Sequence, residues 1–220
     1  MVFQNCDTRE GGTILKNHTS APAAISPQAA FDVVALAASA GGLNALSHVL
    51  TPLPADFPAV ILIVQYLDPR HRSLMADILR RCTFLRVKQA EEGDRLQPAT
   101  VFIAPPNRHL LVNPDGTLSL SQSELVHFVR PSADLLFESV AASYKERAIA
   151  VVLTGTGSDG SMGVRAIKKM GGTVIVQDEK TSEFFGMPAA AIHSGTADFV
   201  LPLDEIPSAL MTLVMKGETE

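Results

Sequence analysis

The chain has 220 residues, 46% hydrophobic and 19% charged, enough to bury the core of one large domain or two small ones. A formal net charge of −5 leaves no basic footprint, which argues against a nucleic-acid partner. No apolar run approaches the roughly 18 residues of a membrane span, and the N-terminus has no signal-peptide pattern, so the expectation is a cytoplasmic protein without membrane insertion.

Residues 1–30 mix Asn, Thr, Ser, Gly and Pro without hydrophobic period and read as a flexible tail or linker, leaving 31–220 as the folded domain. Cys6 falls in that tail and Cys82 in a helical pattern. Two cysteines make no disulfide framework, and both read as free thiols of a reducing compartment. The fold begins with a buried-strand run at residues 31–37. The small-residue turn Ser39-Ala40-Gly41-Gly42 then leads into a helix carrying Leu43, Leu46, Val49 and Leu50. Residues 59–64 are a continuous apolar run of the kind found inside parallel sheets. Helical spacing follows over 73–82.

The middle changes character. Residues 86–89, 100–104, 110–113 and 117–121 read as short strands of an antiparallel insertion, with Pro114-Asp115-Gly116 as a hairpin turn. Pro131-Ser132 opens a helix whose buried face runs through Leu135, Leu136, Val140 and Tyr144. Strand–helix alternation then resumes: 148–153, 160–170, 173–177, 187–193, 199–201, and a last helix from Asp204. This order predicts an α/β fold, a doubly wound, mainly parallel sheet flanked by helices with an antiparallel hairpin insertion. Ligands in such folds bind beyond the carboxyl ends of the strands, which is where Ser39, Tyr66 and Asp159 fall.

Ser39 sits in a tight turn facing the next helix. It reads either as a nucleophile beside backbone N–H groups or as a plain helix N-cap. Gly155-Thr156-Gly157-Ser158-Asp159-Gly160 spells G-x-G-x-x-G at a strand-to-helix turn, with the acidic pair Asp178-Glu179 after the next strand. That is the layout of a dinucleotide-binding unit, but the same turn also delivers the Asp159 carboxylate to the top of the sheet. None of the six histidines, His71 and His109 among them, forms a zinc-binding pattern, and no metal is expected.

Taken together, Ala38-Ser39-Ala40-Gly41-Gly42, Val64-Gln65, Ile103-Ala104-Pro105 with His109, Arg130-Pro131-Ser132-Ala133-Asp134, Leu153 to Gly160 and Gly186-Met187-Pro188-Ala189-Ala190 resemble, in order, the blocks of CheB-type chemotaxis methylesterases. The resemblance covers about residues 31–210. It implies hydrolysis of glutamate γ-methyl esters, in some members also glutamine deamidation, on the cytoplasmic helices of methylated chemoreceptors. It implies no cofactor, and a Ser-His-Asp triad with Ser39 as nucleophile and Asp159 as the orienting acid. Ala40 and Thr156 are the oxyanion-hole candidates.

At the position where the family's histidine falls, this chain has Tyr66. A phenol with an ordinary pKa near 10 is a donor at neutral pH, and a neighbouring carboxylate raises that pKa further. The expectation is an impaired hydrolase. The alternatives are a non-catalytic receptor-binding relative, a site in which His71 serves as substitute base, or a dinucleotide-binding protein. Many family members carry a receiver domain ahead of the esterase; residues 1–30 are too short for one, and none is expected in this chain.

Overall fold

The computed structural model of the chain describes residues 31–66 and 74–215. His71, and the first residue of the helix expected from position 73, lie outside the described residues. Seven strands form one parallel sheet: β1 (Val33–Ala38), β2 (Val60–Gln65), β3 (Arg86–Gln89), β4 (Thr100–Ile103), β7 (Ala148–Val152), β8 (Thr173–Gln177) and β9 (Phe199–Leu201), in the order β3-β4-β2-β1-β7-β8-β9. Two further strands, β5 (His109–Val112) and β6 (Leu118–Ser121), make an antiparallel hairpin.

The continuous apolar runs of β1, β2 and β7 bury both faces of the central strands. On one face, Leu36, Ile61 and Ile63 pack under Leu46, Leu50, Ile206 and Leu210 of α1 (Gly42–Leu50) and α6 (Ile206–Met215). On the other, Ala35, Val64 and Val152 pack under Leu136, Phe137, Val164 and Ile167 of α3 (Ala133–Tyr144) and α4 (Ser161–Lys169). The sheet therefore has helices on both faces, as the period-2 burial of apolar strands requires. The remaining α-helices among the described residues are α2 (Met75–Arg80) and α5 (Gly186–His193).

Two expectations are corrected. The strands at 86–89 and 100–103 are not part of an antiparallel insertion; they extend the main sheet in parallel, with Val87 opposite Val101. The connection between them is held along the hairpin by Gly93 N–H to Leu118 O (2.9 Å), Leu118 N–H to Asp94 O (2.8 Å) and Leu96 N–H to Gly116 O (2.9 Å). The chain thereby returns to the amino end of the sheet before β4 begins. The helix near residue 78 is also shorter than its spacing suggests: Met75 and Leu79 are buried, whereas Leu74 and Ile78 face solvent.

The winding direction reverses at β1. The chain steps to β2 on one side and, after the hairpin and α3, enters β7 on the other. Register pairs Ala38 with Gln65 and Ala37 with Val152, so Ser39, Tyr66 and the turn after β7 leave the sheet at one edge. That edge is the switch point where doubly wound sheets hold their ligands.

Candidate active site

Ser39 leaves β1 in a turn fixed by its own backbone. Its N–H donates to Thr154 O (3.0 Å), and its carbonyl accepts from Gly42 N–H (2.8 Å) and Gln65 Nε2 (2.7 Å). The N-cap of α1 is Gly41, in the left-handed region at φ 74°, so Ser39 is not that helix's N-cap. Among the described residues its hydroxyl makes no hydrogen bond; the residue lines an open cleft of about 540 Å³ with Gly41, Leu43, Asn44 and Gln65. The Gln65 amide also donates to Tyr66 O (3.3 Å), so a single side chain ties the peptide units of Ser39 and Tyr66 together.

The Tyr66 hydroxyl donates to Asp159 Oδ2. Burial, then the Asp159 charge and this hydrogen bond, push the phenol well above the ordinary tyrosine range. Asp159 is 5% exposed, and three more donors converge on it: Ser132 Oγ (2.9 Å), Ala133 N–H (2.6 Å) and Asp134 N–H (3.2 Å). The last two open α3, whose positive end favours a carboxylate.

A second carboxylate mirrors the first. Asp134, in the first turn of α3, accepts at Oδ1 from Met162 N–H (3.0 Å) and Gly163 N–H (2.7 Å) at the start of α4. Each helix thus caps its partner's acid. The exchange depends on close approach, because a Cβ at Gly163 would lie 2.6 Å from Phe137 Cβ and 3.0 Å from the Asp134 Cα. Among the described residues Asp134 Oδ2 has no hydrogen-bond partner, and it lies 3.3 Å from His127 Nε2. Burial, partly offset by the Gly163 N–H, and then repulsion from Asp159 push the Asp134 carboxyl up to about 6.

Behind this pair sits His109, fully buried. Its Nδ1 accepts from Ser132 N–H (3.1 Å), which places the ring proton on Nε2, where it donates to Glu124 O (3.0 Å). Burial lowers its pKa below the ordinary imidazole range. His109 supports the turn that grips Asp159 and does not face the cleft residues themselves.

Of the residues singled out from sequence, Tyr66 and Asp159 are in direct contact, and Ser39 lies one strand over, joined to Tyr66 through Gln65. Neither the Ala40 nor the Thr156 N–H donates a hydrogen bond among the described residues. The supporting roles of Ser132, Asp134 and His109 were not read from the sequence. The signal was present in Pro131-Ser132-Ala133-Asp134, where Ser132 caps α3 by accepting from Leu135 N–H (3.4 Å).

The glycine-rich turn is packed at Gly155 and open at Gly157, where a Cβ would meet nothing within 4 Å. A Cβ at Gly155 would lie 2.4 Å from Met187 Sδ and 2.8 Å from Ser39 Cβ. Asp178, the downstream acid, is occupied in its own turn by Thr181 N–H (3.0 Å) and Oγ1 (2.6 Å). Among the described residues, no three His, Cys, Asp or Glu side chains are grouped as a metal-ligand set, and no helix is long and apolar enough to cross a membrane.

A doubly wound α/β domain with its polar cluster at the carboxyl ends of β1, β2 and β7 is the class these observations define. Within that class, the CheB methylesterase family model matches residues 34–210. A Leptospira interrogans protein, provisionally named protein-glutamate methylesterase/protein-glutamine glutaminase, is 39% identical over 83% of this chain and 95% of its own length. The Moorella thermoacetica protein of the same name is 43% identical over 83% of this chain, which spans 44% of that relative. The crystal structure of the Thermotoga maritima CheB methylesterase catalytic domain superimposes with a TM-score of 0.81 at 39% identity, over 84% of this chain and 99% of that one. The chain belongs to the CheB methylesterase family, whose named members are carboxyl-ester hydrolases.

Proposed function

We propose that this chain engages the cytoplasmic helices of methylated chemoreceptors at the Ser39 cleft, and that Tyr66 holds its ester hydrolysis far below that of a Ser-His-Asp site. Ser39 is the nucleophile, Asp159 the orienting carboxylate, and the Ala40 and Thr156 N–H groups the donors for the tetrahedral oxyanion. In acyl transfer Ser Oγ must lose its proton as it attacks the ester carbon, and the acceptor needs a lone pair and a pKa near ambient pH. The observation that carries the reading is the hydrogen bond from the Tyr66 hydroxyl to Asp159. It occupies the carboxylate with a donor whose own pKa is raised, so the group at the expected base position is a protonated phenol and not a base.

The test uses the full chain with a receptor helix carrying glutamate γ-methyl esters. The peptide binds, and methanol release by the parent is no faster than release by Ser39→Ala. Methanol release at the rate of a histidine-containing relative, abolished by Ser39→Ala, would show that the phenol does not restrain the site. Absence of any binding would remove the receptor reading itself.

A further inference from the structure

The residues that line the Ser39 cleft, Leu43, Asn44, Ser47 and Gln65 among them, are all uncharged. One wall of the cleft is the start of α1, which has no side-chain cap and no acid in its first turn. Among the described residues, the N–H groups of Leu43 and Asn44 donate no hydrogen bond. A bare helix start of this kind favours an anion. Hydrolysis of a glutamyl ester consumes water and releases methanol and a proton, leaving a carboxylate where a neutral group had been. Left alone, the start of α1 would hold that product better than the ester.

A second feature opposes it. The segment after β8 lays the Glu183 side chain on Gly41, a residue of the cleft wall: a Cβ there would lie 2.6 Å from Glu183 Oε2 and 3.2 Å from its carboxyl carbon. The residues on either side of Glu183 are fastened. Ser182 Oγ donates to Asp178 O (2.7 Å), and Phe184 N–H donates to Thr154 Oγ1 (2.9 Å), which itself donates to Ala40 O (3.1 Å). Glu183 is exposed, and among the described residues its carboxylate makes no hydrogen bond or ion pair. It does not cap α1, because a cap accepts from a first-turn N–H and this helix has no such bond. What it brings to the wall is charge.

We infer that Glu183 is a specificity-determining residue: its carboxylate offsets the start of α1, so the cleft takes a neutral glutamyl ester and rejects the glutamate formed from it. The inference rests on the receptor-engaging reading above. Two negative charges a few ångströms apart at a solvated surface repel by a few-fold in affinity, and salt screens the effect.

The experiment uses two fluorescent receptor helices that differ at one position, glutamate γ-methyl ester in one and free glutamate in the other. Their Kd values are measured at low salt with the full parent chain, Glu183→Gln and Glu179→Gln. The parent should bind the ester helix at least about threefold more tightly than the acid helix, with the ratio shrinking in 0.5 M salt. Glu183→Gln should tighten the acid helix alone and bring the ratio to one or below. Glu179, an exposed acid of the same segment, gives the same change in net charge, and Glu179→Gln should keep the parent's ratio. A parent that binds the acid helix as well as the ester would overturn the inference and leave the receptor reading intact. So would a ratio unmoved by Glu183→Gln, or one narrowed equally by Glu179→Gln. A parent that binds neither helix refutes both.

Discussion

Replacing Tyr66 by histidine should convert the restrained site into a working one, and the size of the gain can be bounded from the geometry. At its ordinary pKa of about 10 a phenol is roughly 0.1% ionised at pH 7. Here burial and Asp159 raise that pKa, so the ionised fraction is smaller still. A neutral imidazole, with an ordinary pKa of about 6.5, is the major form at pH 7. The population of base-competent side chains therefore rises by more than about 10³. Imidazole also divides the two tasks that the phenol cannot, donating one N–H to Asp159 and offering the other nitrogen to Ser39. Loss of a triad histidine costs up to about 10⁶ in kcat in a serine protease, which sets the upper bound on the gain. Methanol release from a methyl-esterified receptor helix should rise by about 10³ to 10⁶ in kcat, with a pH–rate inflection near the imidazole pKa. Adding Ser39→Ala should return it to the parent level. A folded Tyr66→His variant that gains less than tenfold would refute the assignment of Ser39, position 66 and Asp159 as one catalytic unit.

Three other outcomes follow from the supporting residues. The Asp134 carboxyl is raised in the fold to about 6, so the stability it contributes is full below its unfolded pKa near 3.8 and lost as pH rises through about 6. Asp134→Asn keeps the Oδ1 acceptor for α4 and removes the repulsion from Asp159. Its melting temperature relative to the parent should therefore climb by a few degrees between pH 4 and 7, roughly 1–2 kcal/mol; a gap independent of pH would contradict this. His109 titrates below its ordinary range, so its contribution is present above about pH 6.5 and lost as pH falls toward the folded value. His109→Leu strands Ser132 N–H and Glu124 O, and urea unfolding should show a loss of about 2–4 kcal/mol with a flatter slope between pH 5 and 7. Gly155→Ala places a methyl against Met187 Sδ and Ser39 Cβ, an overpacking of about 1–3 kcal/mol; an unchanged urea midpoint would mean that the turn is looser than its contacts imply.

The sheet's centre was legible because buried parallel strands leave continuous apolar runs, and 31–37, 59–64 and 148–153 are such runs. The turns after them carry Ser39, Tyr66 and Asp159, which puts all three beyond strand carboxyl ends, but the strand order that makes them neighbours was not legible. Strand pairing in 86–104 was not legible: four-residue strands with turn signals look the same whether the partner runs parallel or antiparallel. What decided it was the connection's bonding to the hairpin, a contact between residues twenty or more positions apart. Asp134 was hidden for a different reason. An acid in the first turn of a helix is ordinary by itself. Only the packing of α3 on α4, permitted by the bare backbone at Gly163, turns it into the counterpart of Asp159.

That pairing also gives a physical account of what a tyrosine at position 66 preserves. Asp159 is buried and charged, and its four donors come from Ser132, two N–H groups of α3 and residue 66. Histidine in that place would supply one N–H to the carboxylate; so does the phenol. A leucine or phenylalanine would withdraw a donor from a buried charge that already faces Asp134, at about 1–3 kcal/mol. Tyrosine thus keeps the donor to Asp159, and on the proposed reading removes only the proton acceptor. On the proposed reading, a tyrosine at position 66 gives up the base and keeps the hydrogen bond that it donates to Asp159.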